Sequence, residues 1–116
     1  FVDSATESIR VLKKNLELTK ILHETEVMNC DYSIAIDRLS SQGKEFDIVY
    51  IDPPYKMGIE IEAAKKIQEK KILAKDGIII IEHEAKNLMP DTIDMLEKIK
   101  ERKYGNVRLS LYGIKK

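Results

Sequence analysis

An apolar run meets two prolines in the segment Phe46-Asp47-Ile48-Val49-Tyr50-Ile51-Asp52-Pro53-Pro54-Tyr55. The run from Ile48 to Ile51 is β-branched and aromatic, which is typical of a central strand of a parallel sheet covered on both faces. Pro53 and Pro54 have no N–H to donate and favour extended conformations in the preceding residue, so the strand ends at Asp52. This carboxyl edge is where open α/β sheets bind ligands.

Asp52, Pro53, Pro54 and Tyr55 together suit a flat ring that carries an amino group. The Asp52 carboxylate and the Pro53 carbonyl can accept the two N–H bonds of a nucleobase amino group while Tyr55 stacks on the ring. This arrangement turns the nitrogen lone pair toward an incoming methyl group. The four residues resemble the (D/N)PP(Y/F/W) motif of amino-methyltransferases that use S-adenosylmethionine. The simpler alternative is a surface turn, since Asp-Pro is common in turns.

Composition sets the limits of the interpretation. With 116 residues the chain forms at most one domain, and its 20 basic and 20 acidic residues leave a formal net charge of zero. Nucleic-acid binding therefore requires a local basic patch. Cys30 is the only cysteine, and the longest apolar run, Ile78–Ile81, is too short for a membrane span. The composition is typical of a soluble, globular, cytoplasmic protein without a membrane segment.

Asp3 lies between a predicted strand and a predicted helix. Phe1-Val2-Asp3 reads as the end of a strand, and Ser4-Ala5-Thr6-Glu7 follows as a capping box. In doubly wound nucleotide-binding folds an acid at this place accepts hydrogen bonds from ribose hydroxyls. Helix capping by Asp3 or Ser4 is the alternative, and the two roles can coexist.

Asp31 occupies the equivalent place in the next strand–helix step. A short strand is predicted within Glu24–Cys30, and an amphipathic helix covers Ser33–Ser41. Asp31 can hold the adenine amino group of a cofactor while Tyr32 supplies a backbone N–H to the ring. The alternative is that Asp31 caps the helix.

The middle of the chain predicts another helix and a buried strand. The helix runs from Ile59 to about Leu73, with a solvated basic face formed by Lys65, Lys66, Lys70 and Lys71. Asp76-Gly77 is predicted as a turn into Ile78–Ile81, the strongest buried-strand signal in the chain. Glu82-His83-Glu84 follows, but successive strand residues point to opposite faces, so the triplet predicts no metal site.

The C-terminal part predicts a helix and then a hairpin. Pro90 precedes a helix from Asp91 to about Glu101, with apolar residues at helical spacing (Ile93, Leu96 and Ile99). Lys103 to Tyr112, around Gly105-Asn106, reads as an antiparallel hairpin. The chain is thus predicted to be an α/β protein with a Rossmann-like class I methyltransferase sheet, mostly parallel, with a C-terminal antiparallel hairpin.

Several stretches resemble, in order and spacing, the bacterial RsmD-like family of small-subunit ribosomal RNA guanine-N2 methyltransferases. They are Phe1-Val2-Asp3, Lys14-Asn15-Leu16, Phe46 to Tyr55, Gly77 to His83, and Lys103-Tyr104-Gly105. The resemblance implies an S-adenosylmethionine cofactor and a ribosomal RNA or small-subunit partner. It implies that Asp52, Pro53, Pro54 and Tyr55 form the catalytic motif, that Asp3 binds ribose, and that Asp31 and Tyr32 form the adenine pocket. Glu82 matches an acid near the active cleft and is given no role.

The chain departs from this family at its start. The family has an upstream strand with a glycine-rich loop for the cofactor and a basic N-terminal segment, and neither is present here. We therefore expect residues 1–116 to be a single, partial methyltransferase domain, incomplete at the N-terminus. The absent strand is expected beside the strand that ends at Asp52.

Three other functions remain open. Adenine-N6 DNA methyltransferases share the Asp-Pro-Pro-Tyr motif, whereas glutamine methyltransferases of release factors typically carry Asn in place of Asp52. A non-catalytic α/β binding module is the alternative outside enzymes.

Overall fold

The structure is a computed structural model that describes residues 2–3, 6–18, 28–29, 31–52 and 59–115. Pro53, Pro54 and Tyr55 lie outside these residues. The chain divides into two compact units, Phe1–Arg38 and Leu39–Lys116, so the single domain stays a prediction. No helix of the described part is long and apolar enough to cross a membrane.

The first unit alternates strands and helices, as predicted. Its elements are β1 (Val2–Asp3), α1 (Thr6–Leu18), β2 (Met28–Asn29) and α2 (Tyr32–Ser41), whose last residues lie in the second unit. β1 and β2 pair in parallel, with Asp3 opposite Asn29. Helix α1 is amphipathic, because Ile9 is buried while Arg10 is exposed and bonds to Glu7.

The second unit is a five-stranded sheet with one helix between its first two strands. Its elements are β3 (Phe46–Ile51), α3 (Ile59–Glu69), β4 (Leu73–Glu84), β5 (Thr92–Ile93), β6 (Leu96–Tyr104) and β7 (Val107–Ile114). The strand order is β3-β4-β7-β6-β5, and α3 packs against β4 and β5. Helix α3 ends before the predicted Leu73, since Lys71 adopts a left-handed conformation with φ of 57°.

The α/β class and the C-terminal hairpin are confirmed. The predicted predominance of parallel strands is wrong for the described five-stranded sheet. Only β3–β4 is parallel there, whereas β4–β7, β7–β6 and β6–β5 are antiparallel. The reason is that the segment after Pro90 adds two antiparallel strands where a helix was expected.

The predicted helix from Asp91 to Glu101 is therefore wrong. Leu96 and Ile93 are buried as partners across a tight turn between β5 and β6. Ile99 lies at an irregularity of β6 and is exposed. Pairing with β7 satisfies the backbone hydrogen-bonding groups of β6. This long-range pairing outweighs the local spacing of apolar residues, which also fits a helix.

The predicted turn at Asp76-Gly77 is also wrong, because both residues lie within β4. The β3–β4 register shifts between the pairs Phe46–Leu73 and Ile48–Ile78, so β4 carries an irregular bulge there. A Cβ atom on Gly77 would lie 2.7 Å from Leu73 Cδ1 and 2.9 Å from the Ala74 carbonyl oxygen. The bulge therefore requires glycine at this position.

Strand β3 is not covered on both faces as predicted. It lies at the edge of the described sheet, and the side chains of Ile48 and Tyr50 are 66% and 54% exposed. In the described part of the unit, its outer flank has no neighbouring strand, and the exposed side chains show that one face lacks cover. The further strand expected beside β3 stays a prediction.

The two faces of this sheet differ in how far their side chains are buried. On the buried face, Ile79, Ile81, Ser110 and Tyr112 have essentially no exposed surface. We call the opposite face the open face. Residues in register share a face, so the open face carries three successive rows of side chains: Tyr50, Ile80, Leu111 and Lys100; then Glu82, Leu109 and Arg102; then Glu84, Val107 and Tyr104.

Candidate active site

Asp52 is the first residue after β3, at the carboxyl edge of the sheet. The β3–β4 register pairs Tyr50 with Ile80 and Ile51 with Ile81, so Asp52 comes next to Glu82. Tyr50 and Asp52 are two residues apart and share the open face with Glu82. Two carboxyl groups and one phenol thus meet where the Asp-Pro-Pro-Tyr segment begins.

Hydrogen bonds join these three side chains. The Tyr50 hydroxyl donates to Glu82 Oε1 at 2.8 Å. Partial burial raises the pKa of Asp52, and its hydrogen bond with Glu82 and the negative charge of Glu82 raise it further. The hydrogen bond to Glu82, with burial and the nearby carboxylates, raises the pKa of Tyr50 to about 12. Glu82 is therefore the residue that interacts with both Tyr50 and Asp52.

Glu82 and Tyr50 are the residues that the sequence analysis missed as partners of Asp52. The sequence assigned no role to Glu82, and it indicated Tyr50 only as an apolar residue of the strand. The signal was the strand period, because residues two apart share a face and adjacent parallel strands end at the same edge. Only the register shows that Glu82, rather than Glu84, comes beside Asp52.

His83 points to the buried face and belongs to a separate polar network. Its Nε2 lies 2.8 Å from Ser110 Oγ, and Ser110 contacts Glu101 at 3.4 Å. Glu101 pairs with Lys98 at 3.2 Å and with Arg108 at 3.0 Å. Burial alone would raise the pKa of Glu101, but these two cations lower it. Among the described residues, no group of three or more acidic, histidine or cysteine side chains could hold a metal ion.

In the first unit, Asp31 caps α2. Its Oδ1 accepts a hydrogen bond from the Ser33 N–H at 2.8 Å, and its carbonyl accepts one from Ala35 at 3.1 Å. The capping alternative is thus confirmed, while the adenine-binding role of Asp31 and Tyr32 stays a prediction. Asp3 lies in β1, directly beside the strand that leads to Asp31, and its ribose-binding role also stays a prediction.

The fold is that of a methyltransferase. A solved structure titled "Putative methyltransferase yhhF from Escherichia coli" superposes with a TM-score of 0.80 at 25% identity, covering 99% of this chain and 63% of that one. A Streptococcus pyogenes conserved hypothetical protein superposes with a TM-score of 0.88 at 23% identity, covering 99% of this chain and 69% of that one. Both likenesses extend over nearly all of the present sequence.

The chain belongs to the family described as "Conserved hypothetical protein 95", the RsmD family, whose model matches residues 1–113. "Putative rRNA methyltransferase YlbH" of Bacillus subtilis is 27% identical over 97% of the chain, which covers 61% of that relative. "Ribosomal RNA small subunit methyltransferase D" of Escherichia coli K12 is 29% identical over 69% of the chain, which covers 40% of it. The chain thus spans about half the length of these relatives, and the predicted family resemblance is confirmed.

Replacing Glu82 with glutamine (Glu82→Gln) is expected to move the pKa of Asp52 down toward its ordinary value, because a neighbouring negative charge is removed. Asp52 with a raised pKa adds stability in its protonated form at low pH, and this contribution is lost as the pH rises through the raised pKa. Glu82→Gln should weaken that pH dependence. Carboxyl-carbon NMR titration of Asp52 measures the shift directly.

Glu84→Gln is the matched control, since Glu84 lies two residues further along the same face and pairs with Lys86 at 3.3 Å. An unchanged Asp52 titration in Glu82→Gln would show that Glu82 does not govern this carboxyl group.

Proposed function

We propose that this chain is part of an S-adenosylmethionine-dependent N-methyltransferase that modifies the exocyclic amino group of a guanine in small-subunit ribosomal RNA. The observation that carries the proposal is the Asp52–Glu82–Tyr50 cluster at the carboxyl edge of the sheet, directly before Pro53-Pro54-Tyr55. The names of the relatives support the reaction class and the RNA substrate. The particular base and nitrogen are those that the resemblance to the RsmD-like family implies, and the chemistry of the cluster is compatible with them.

The paired carboxyl groups suit guanine. The Watson–Crick edge of guanine presents N1–H and the N2 amino group side by side, whereas adenine has an acceptor at N1. Two adjacent carboxyl groups that accept hydrogen bonds therefore complement guanine better. In this arrangement Asp52 and the Pro53 carbonyl hold the N2 amino group, Glu82 lies within reach of N1–H, and Tyr55 stacks on the ring.

The roles of the protein groups follow from charge. As the amino nitrogen forms its bond to the methyl carbon it becomes positive, and the adjacent carboxylates of Asp52 and Glu82 stabilise that charge. Ionised Asp52, with its raised pKa, accepts the departing proton more readily than an ordinary aspartate. The Tyr50 hydroxyl fixes Glu82 during this step. A base in a folded RNA must be unstacked to reach the cluster.

The cofactor's hydrogen-bonding groups fit the first unit. When bound, S-adenosylmethionine supplies a methyl group on a positively charged sulfur. Asp3 ends β1, and Asp31 comes two residues after the end of β2, the neighbouring parallel strand. Carboxylates accept hydrogen bonds, and the ribose hydroxyls and the adenine amino group are donors. The cap bond to Ser33 uses one of the two oxygens of the Asp31 carboxylate, so capping and adenine binding are compatible. We propose that the Tyr32 N–H completes the adenine contact.

The test uses the protein at its full natural length. Calorimetric titration with S-adenosylhomocysteine is expected to show binding, and labelled methyl groups should be transferred to small ribosomal subunits or their RNA. The modified nucleoside should be N2-methylguanosine. Transfer to duplex DNA instead would favour adenine-N6 methylation, and failure to bind S-adenosylhomocysteine would favour a non-catalytic α/β module.

A further inference from the structure

The open face continues from the Asp52–Glu82 cluster across the sheet to β6. Glu82, Leu109 and Arg102 occupy one row, with Lys100 in the row behind and Tyr104 in the row ahead. With strands about 4.8 Å apart, Arg102 lies about 10 Å from Glu82 and roughly 14 Å from the strand that ends at Asp52. These residues therefore border the same edge of the sheet as the proposed target base.

Lys100 and Arg102 are exposed and make no ion pair with the described residues. By contrast, the cations Lys98 and Arg108 on the buried face both form ion pairs with Glu101. Glu84, the acid at the edge of the open face, pairs with Lys86. Positive charge on this part of the open face is thus left to face the solvent.

Tyr104 adds an aromatic ring to these two cations. It is 61% exposed, beside the partly exposed Val107, at the end of β6 just before the Gly105-Asn106 turn. An exposed ring next to arginine and lysine is the combination that single-stranded nucleic acids favour. Bases stack on the ring while the cations neutralise phosphates.

We propose that Lys100, Arg102 and Tyr104, the hairpin strip, bind the single-stranded RNA that flanks the target base. This inference rests on the proposed function and extends it with an RNA-contacting surface. The acids of the cluster face the N–H donors of the base, and the strip, three strands away, faces phosphates and a neighbouring unstacked base. In a chain with no net charge, such a local patch supplies the attraction for RNA.

The test measures binding of a fluorescent single-stranded RNA to the full-length protein across a series of salt concentrations. Each phosphate contact on a single strand contributes about 0.7 to the slope of log affinity against log salt, so Lys100→Ala with Arg102→Ala should reduce the slope by about 1.4. That change corresponds to roughly 25-fold weaker binding at about 0.1 M salt. Tyr104→Ala should weaken binding about 5- to 150-fold with the slope unchanged, and Tyr104→Phe should restore it.

Lys75→Ala is the matched control, because Lys75 is an exposed cation at the opposite end of β4. Retained S-adenosylhomocysteine affinity in every variant shows that the fold is intact. Two results would contradict RNA binding by the hairpin strip. One is a wild-type RNA affinity and salt slope in the double variant, and the other is an equal loss of RNA affinity in Lys75→Ala. Methyl transfer by the unmodified protein is measured separately. The proposed function is therefore tested independently of RNA binding by the hairpin strip.

Discussion

Replacement of Asp52 with asparagine (Asp52→Asn) in the full-length protein is expected to lower methyl-transfer turnover about 100- to 1,000-fold, the usual cost of losing one electrostatic contact to a transition state. The asparagine keeps one oxygen acceptor but loses the negative charge and the proton acceptor. The affinity for S-adenosylhomocysteine should change little, because Asp52 is proposed to face the base. Single-turnover transfer to small ribosomal subunits, together with calorimetric titration of S-adenosylhomocysteine, measures the two quantities independently.

Asp47→Asn is the control for this substitution. Asp47 is an exposed aspartate of the same strand, five residues before Asp52 and away from the carboxyl edge. It should retain wild-type turnover. Wild-type turnover in Asp52→Asn would remove Asp52 from the proposed mechanism.

The largest loss of stability is expected from Tyr112→Ala. Tyr112 is fully buried between Ile79 on β4 and Lys98 on β6, and its hydroxyl donates to the Pro90 carbonyl. Removing a buried aromatic ring leaves a cavity and costs about 3–5 kcal/mol, a large part of the 5–15 kcal/mol that typically stabilises a domain. Urea unfolding followed by circular dichroism should show this loss as a lower midpoint.

Tyr112→Phe separates the ring from its hydroxyl and should cost only about 1–3 kcal/mol, since the Pro90 carbonyl loses its donor. Tyr104→Ala, on the same hairpin but exposed, should change stability by less than about 0.5 kcal/mol. Equal unfolding midpoints for Tyr112→Ala and Tyr104→Ala would contradict the packing described for the buried face.

Features that depend on adjacent residues could be predicted from the sequence. The apolar run of β3 and the prolines after it placed Asp52 at a strand end, and the short side chain of Asp31 before a helical pattern predicted the cap that forms. The Gly105-Asn106 pair predicted the turn of the β6–β7 hairpin, where Gly105 has a φ of 60°. Each of these features depends on the backbone chemistry of a few adjacent residues, so each can be predicted without knowing the tertiary structure.

Features that depend on distant partners were decided by the tertiary structure. The same apolar spacing in residues 91–101 fits a helix or two short strands, and pairing with β7 selects the strands. The bulge that absorbs Asp76-Gly77 exists because β4 must stay in register with β3. Glu82 reaches Asp52 for the same reason, although 30 residues separate them in the chain. Local residues are enough to place Asp52 at the end of its strand. The strand register brings Glu82 beside Asp52 and Tyr50, and that register is fixed by packing over the whole sheet.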